Sequence, residues 1–213
     1  MFPVRPHPCG ARSSIVPRNP EVTGALIAGG RSRRMGRDKR LLVLDGLTLL
    51  DRALFLLEEA CGEVFVVAPE PFPVELRVPR VPDRIPGMGV LGGIHAALIG
   101  ASFSEVLCVA VDTPLLTAQW LDLLVGRCLK TGRPCAPFVN GRVHPLPACY
   151  PKSARPFVES ALRSGDATAH HLLSALNADL VDEEQAEAGG CDPRSLTNVN
   201  NQEEWHALLT DEP

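Results

Sequence analysis

The chain has 213 residues, 45% hydrophobic and 22% charged, a balance that fits a globular protein with a sizeable core and excludes global disorder. Its formal net charge of −4 argues against nucleic acid as the main partner, and no apolar run approaches the roughly twenty residues of a membrane-crossing helix. Seven cysteines, odd in number and without a C-x-x-C, make neither a disulfide framework nor a zinc site, so reduced thiols in a cytoplasmic protein are expected.

Residues 1–20 hold five prolines and three arginines, with no periodicity and no apolar secretory core. They read as a disordered extension ahead of a single domain over 21–213. Ala25–Ala28 is a short apolar run of strand character. It breaks at Gly29-Gly30, where the backbone can turn sharply and approach a ligand. Between Arg31 and Arg40 six of ten residues are Arg or Lys, out of 21 in the chain. Such a loop suits an anion with several oxygens, its backbone N–H groups forming a concave donor surface and its side chains supplying counter-charge. On composition alone a solvated basic loop is an equal reading. The spacing matches neither G-x-x-x-x-G-K-[ST] nor G-x-G-x-x-G.

Leu41–Leu44 is a second apolar run, ended by the turn pair Asp45-Gly46. Leu50, Ala53, Leu54 and Leu57 recur at helical spacing and predict a helix over 48–60. Glu63–Ala68 reads as a β-branched strand, and Leu76–Val81 as an extended piece that Pro79 confines to an edge. The loop 82–94 places glycines 87, 89, 92 and 93 ahead of the helical pattern Ile94, Ala97, Leu98, Ala101. That entry leaves N–H groups at the helix's positive end for a polar or anionic ligand. Glu105–Val111 is a buried strand running into Asp112-Thr113-Pro114. An Asp just past a parallel strand stands at the edge where open α/β sheets bind ligands, although taken alone a cap for the following turn is the simpler account.

Thr117–Lys130 predicts an amphipathic helix burying Leu121, Leu124, Val125, Cys128 and Leu129. Pro134–Asn140 and Val143–Tyr150 read as strands around the hairpin turn Asn140-Gly141. Helices are expected over 154–163 and 169–176, an extended piece at 180–182, and a solvated acidic loop to Gly190. His144 and the pair His170-His171 carry no metal-ligand spacing. Asn200 reads as the N-cap of a last helix with Glu203 at N3 and Trp205, Leu208 and Leu209 on its apolar side. Strands alternating with helices argue for an α/β fold around a mostly parallel, doubly wound sheet.

The stretch I-A-G-G-R-S-R-R-M-G-R-D-K, residues 27–39, resembles the L-A-G-G-x-S-x-R-M-G-x-D-K signature of nucleotidyltransferases. It is most similar to the version in molybdenum cofactor guanylyltransferases. Four further segments carry the resemblance: Gly89–Gly93 is similar to G-P-L-A-G with Val90 in place of Pro, Asp112-Thr113-Pro114 to D-x-P, His144-Pro145 to an H-P pair, and Asn198-Val199-Asn200 to N-V-N. The resemblance covers residues 23 to about 205 and implies a Rossmann-like nucleotidyltransferase fold of three layers, α/β/α. It implies nucleotide binding by Ile27, Ala28, Gly29, Gly30, Lys39, Asp83, Gly89 and Asp112, and catalysis by Arg34, Lys39 and Asp112. Mg²⁺ would sit on Asp112, and the acceptor at His144, Asn198 and Asn200. Where some relatives carry Asn after the strand at 63–67, this chain has Ala68-Pro69.

The implied reaction transfers GMP from GTP to the terminal phosphate of molybdopterin-bound molybdenum, giving the guanine dinucleotide cofactor and pyrophosphate. GTP and Mo-molybdopterin are then the partners, with transient contact to a molybdoenzyme or a cofactor-delivery protein. No Ser/His/Asp or Cys/His arrangement stands out, consistent with direct transfer. One alternative is a molybdopterin cytidylyltransferase using CTP, which shares the glycine loop and D-x-P; sugar-phosphate or isoprenoid-type cytidylyltransferases come further behind. From another class, the chain could be a non-catalytic nucleotide-binding protein that delivers cofactor.

Overall fold

The computed structural model describes residues 17–29, 38–83, 85, 87–165 and 168–210. Gly30, Arg34, and residues 1–16 of the expected extension lie outside the described residues.

The first strand, β1 (Asn19–Ile27), starts two residues inside the stretch expected to be disordered. Arg18 anchors that start, its backbone N–H bonding the Glu59 carbonyl and its side chain the Asp122 carboxylate. The apolar run at 41–44 is not one strand. A 3-10 turn over Lys39–Leu41 leads into a small hairpin, β2 (Val43–Leu44) with β3 (Leu47–Thr48). Its turn residues Asp45 and Gly46 have φ of 50° and 81°, the positive pair that a two-residue hairpin turn demands. Thr48 accepts the Asp51 N–H and starts α1 (Leu49–Ala60), which buries Leu50, Ala53, Leu54 and Leu57 as the periodicity predicts.

β4 (Cys61–Val67) pairs in parallel with β1, and β5 (Arg80–Val81) lies on its outer edge. Asn19 pairs with Cys61 and Thr23 with Glu63, so β1 uses more residues than β4 over that span and bulges over Gly62. A Cβ at Gly62 would stand 1.8 Å from the Pro20 carbonyl oxygen, which is backbone and cannot swing aside. Gly62→Ala is therefore expected to cost about 3 kcal/mol and to lower Tm by roughly 10 °C in a thermal melt followed by circular dichroism. An unchanged Tm would mean that the bulge is soft.

α2 (Gly89–Gly100) begins at Gly89, well ahead of the Ile94 start suggested by its pattern. Gly92 and Gly93 are thus helical residues and not loop donors. A Cβ at Gly93 would meet Ile27 Cγ2 at 2.6 Å, so the glycine lets the helix sit directly on the end of β1. β6 (Glu105–Ala110) returns on the other side of β1, also in parallel. α3 (Ala118–Thr131) buries Trp120, Leu121, Leu124, Val125 and Cys128, whereas Leu129, expected on that face, is 53% exposed.

β7 (Cys135–Val139) turns at Asn140-Gly141 into β8 (Arg142–Val143), a short antiparallel partner. The second hairpin strand ends there, because Pro145 and Pro147 lack the N–H groups a ladder needs. β9 (Ala148–Pro151) resumes between β7 and β6, antiparallel to both. α4 (Arg155–Ser164) and α5 (Ala169–Ala175) precede β10 (Asp179–Val181), which pairs in parallel with β7. The acidic run expected as a solvated loop forms α6 (Glu183–Ala188), held by a capping box of Asp182 and Gln185. In α7 (Gln202–Thr210) the cap is Asn201, not Asn200: its Oδ1 accepts the Glu204 N–H.

The main sheet has the order β10-β7-β9-β6-β1-β4-β5, with β8 paired to β7. Alternate residues of each strand feed two cores. Leu26, Val66, Leu107 and Val109 pack with α1 and α3, while Ala25, Phe65, Val67 and Cys108 pack with α2, α4 and α5. This is the expected three-layer α/β/α sandwich. All six described cysteines are buried and free, and burial pushes the Cys61 and Cys135 thiols up to about 12.

Candidate active site

From β1 the chain moves to β4 through α1, then crosses back through α2 to β6 on the opposite side of β1. The loops after β1 and β6 therefore diverge at one point of the carboxyl edge, the place where open α/β sheets form a ligand crevice. Asp112 follows β6 and Lys39 opens the 3-10 turn after β1. Lys39 Nζ lies 2.6 Å from Asp112 Oδ2, with the two side chains only 14% and 17% exposed. Two residues expected to act on the same triphosphate thus meet, although 73 positions separate them.

The other expected residues surround this pair in different ways. Ala28 follows β1 with its N–H on the Val67 carbonyl, and its own carbonyl accepts from Nη1 of Arg40. Gly29 lies against Pro69, whose Cδ would be 3.6 Å from an added Cβ. The place where some relatives have Asn is thus taken here by an exposed proline ring beside Gly29. Ile27 packs on Gly93, which gives it a structural role at the rim. Asp83, just after β5, holds the Ile85 N–H through Oδ1, and both carboxylate oxygens lie within 3.3 Å of the Cβ position of Gly92. Its charge therefore rests on the first turns of α2. Gly89 starts that helix with φ 56°, and Met88 at its N-cap offers no side-chain bond to the first N–H groups.

On the acceptor side, the N-V-N segment is latched to D-T-P. The Val199 N–H donates to the Asp112 carbonyl at 2.8 Å, and Thr113 Oγ1 to Asn198 Oδ1 at 3.3 Å. Val199 is fully buried beneath the exposed Asn198 and Asn200. Asn200 gives its backbone N–H to Glu204, so the capping duty assigned to it passes to Asn201. His144 follows β8 and runs back alongside the middle of β7, its backbone N–H bonded to the Pro137 carbonyl, so its backbone is set back from the edge that carries Asp112. Burial holds its imidazole below the usual histidine range against a hydrogen bond to the Val139 backbone, so it is neutral at neutral pH.

Sequence reasoning passed over Asp38 and Arg40. Asp38 accepts the Arg40 N–H and grips its guanidinium through both oxygens, at 2.7 and 2.6 Å. The Arg40 guanidinium holds the Asp38 carboxyl below the usual aspartate range. In sequence Arg40 is only the last of six basic residues, and nothing marks it as different from Arg37. Chemically, the edge offers a lysine cation, a carboxylate suited to a hard metal ion, uncapped helix N–H groups and an asparagine pair. Among the described residues no cluster of three or more His, Cys, Asp or Glu could hold a metal by itself.

Residues 24–181 match the family described as the MobA-like NTP transferase domain. A protein of Mycobacterium tuberculosis named "Probable molybdenum cofactor guanylyltransferase" is 33% identical over 205 residues, covering 92% of this chain and 98% of that protein. One of the same name from Pelotomaculum thermopropionicum is 34% identical, covering 84% and 88%. Among solved structures, molybdopterin-guanine dinucleotide biosynthesis protein A from Archaeoglobus fulgidus superposes with a TM-score of 0.76 at 24% identity, over 89% of this chain and all of that one. A 2-C-methyl-D-erythritol 4-phosphate cytidylyltransferase from Thermus thermophilus gives 0.64 at 18% identity, over 87% and 98%. Those two likenesses concern the fold alone.

Proposed function

The chain belongs to the MobA-like NTP transferase family and is a nucleotidyltransferase of molybdenum cofactor biosynthesis, and from that premise we propose that it transfers GMP from GTP to the terminal phosphate of Mo-molybdopterin. The product is the guanine dinucleotide form of the cofactor, which passes in the cytoplasm to a delivery protein or a molybdoenzyme. The observation that carries this reading is the 2.6 Å contact of Lys39 with Asp112 at the sheet's switch point. A cation and a carboxylate at that edge are the two groups a metal-bound triphosphate needs.

The acceptor phosphate attacks the α-phosphorus of GTP in line, and the bond to pyrophosphate breaks. A phosphate nucleophile is already ionised at neutral pH, so no general base is required. The protein's work is positioning and charge stabilisation. Lys39 and Arg34 neutralise triphosphate oxygens, Asp83 and the N-terminal turn of α2 flank the nucleotide, and Asn198 and Asn200 face the acceptor. Mg²⁺ fits the donor set, because it takes one or two carboxylates and completes its shell with phosphate oxygens and water. Held by Asp112, it would offset charge developing on the phosphates.

The names of the relatives favour GTP over the cytidylyl alternative, and the retention of Lys39 and Asp112 favours an enzyme over a passive carrier. The test is pyrophosphate release with Mo-molybdopterin and each of GTP, CTP, ATP and UTP, alongside thermal stabilisation by each nucleotide. Turnover with GTP is expected, and GTP at a hundred times its Kd should add about 2.7 kcal/mol of stability. Turnover confined to CTP would overturn the guanylyl assignment.

A further inference from the structure

The guanidinium of Arg40 gathers three separate parts of the chain. Nε and Nη2 grip the Asp38 carboxylate, Nη1 donates to the Ala28 carbonyl at 3.2 Å, and the group lies over the Phe72 ring with Cζ 4.6 Å from its centroid. Ala28 is the residue after β1 and Asp38 the one that caps the 3-10 turn. One side chain therefore ties together the two residues that bracket 29–37. The Arg40 side chain is 14% exposed, a setting in which forked, charge-assisted bonds are stronger than at the surface. Lys39 stands between the two members of this clamp. With Asp38 and Arg40 both fixed, its backbone has little freedom, and its Nζ reaches Asp112.

We propose that Arg40 is a positioning residue: by clamping Ala28, Asp38 and Phe72 it holds Lys39 on Asp112 before any nucleotide arrives. Preorganisation of this kind lowers the cost of ordering a long, flexible lysine when the triphosphate binds. The fork is specific to arginine. A lysine at 40 could meet one Asp38 oxygen or the Ala28 carbonyl, but could not span both with a planar group stacked on Phe72. The bearing on nucleotide binding rests on the function proposed above, while the effect on Lys39 does not.

The test reads Lys39 directly. The chain has three lysines, Lys39, Lys130 and Lys152. The nucleotide-free wild type, Arg40→Lys and Arg40→Ala are acylated with an N-hydroxysuccinimide ester, and the rate at each lysine is followed by mass spectrometry. Lys39 acylation should rise about fivefold in both variants, the scale of one lost hydrogen bond, with Lys130 and Lys152 unchanged. The Kd for GTP should rise about tenfold. An unchanged Lys39 rate, or all three rates rising together as in general unfolding, would overturn the proposal. A faster Lys39 with an unchanged Kd would overturn its bearing on nucleotide binding. Failure of the wild type to bind GTP would count against the guanylyl reading, while the labelling would still decide the role of Arg40.

Discussion

Asp112→Ala is expected to abolish Mg²⁺-dependent nucleotidyl transfer, lowering kcat by on the order of 10³-fold, about 4 kcal/mol of lost charge stabilisation. The effect is large because little stands behind this carboxylate: among the described residues no other acidic cluster could take over a metal. The fold should survive. The bond that ties Val199 to this turn goes to the Asp112 carbonyl, which alanine keeps, and Thr113 still meets Asn198. What is lost structurally is the Asp112 bond to Lys39, at a cost of about 1–2 kcal/mol, or a few degrees of Tm. Pyrophosphate release across a Mg²⁺ titration, with a melt of the same protein, separates the two effects. Asp112→Asn keeps the shape without the charge and should be nearly as inactive. Turnover near the wild-type rate in either variant would remove Asp112 from the chemistry.

The sheet was legible because its strands are short apolar runs with nothing else to become, and α1 because four leucine and alanine positions share one helical face behind a Thr cap. Other elements were hidden for identifiable reasons. α6 has no apolar stripe; its signal is a single capping box, Asp182 with Gln185, inside a run that reads as acidic loop. The glycines of α2 look like loop because their propensity is poor. Burial from Leu91 through Leu98 outweighs that deficit, and the contact of Gly93 with Ile27 requires it. The one-residue slip at α7 arises because Asn200–Glu203 and Asn201–Glu204 are the same pattern twice, and only the hydrogen bonds choose between them. At the site, spacing could place Asp112 at a sheet edge but could not bring Lys39 to it. That pairing depends on β1 and β6 lying side by side.

Lys39→Met should lower kcat/KM for GTP by about 10²-fold, near 2.7 kcal/mol, the scale of one or two charge-assisted bonds to phosphate. Its signature is a dependence on phosphate number: the Kd for GTP should weaken far more than that for GMP, since a cation lost from the triphosphate site matters little to a ligand with one phosphate. The free enzyme offers a second, independent reading. Lys39 and Asp112 form a pair at 2.6 Å with both side chains mostly sheltered, so removing either partner takes a charge-assisted bond from the other. Lys39→Met and Asp112→Asn should each destabilise, whereas the double variant loses the same bond only once and should be more stable than the sum of the singles predicts. Additive melts together with an unchanged GTP Kd would reduce the contact to a chance neighbour. Coupled melts with an unchanged Kd would leave Lys39 as a holder of Asp112 alone, and the triphosphate would then depend on the arginines of the preceding loop. The predicted outcome has both, because the ammonium that meets Asp112 at 2.6 Å would turn to the phosphates if a divalent cation took the carboxylate.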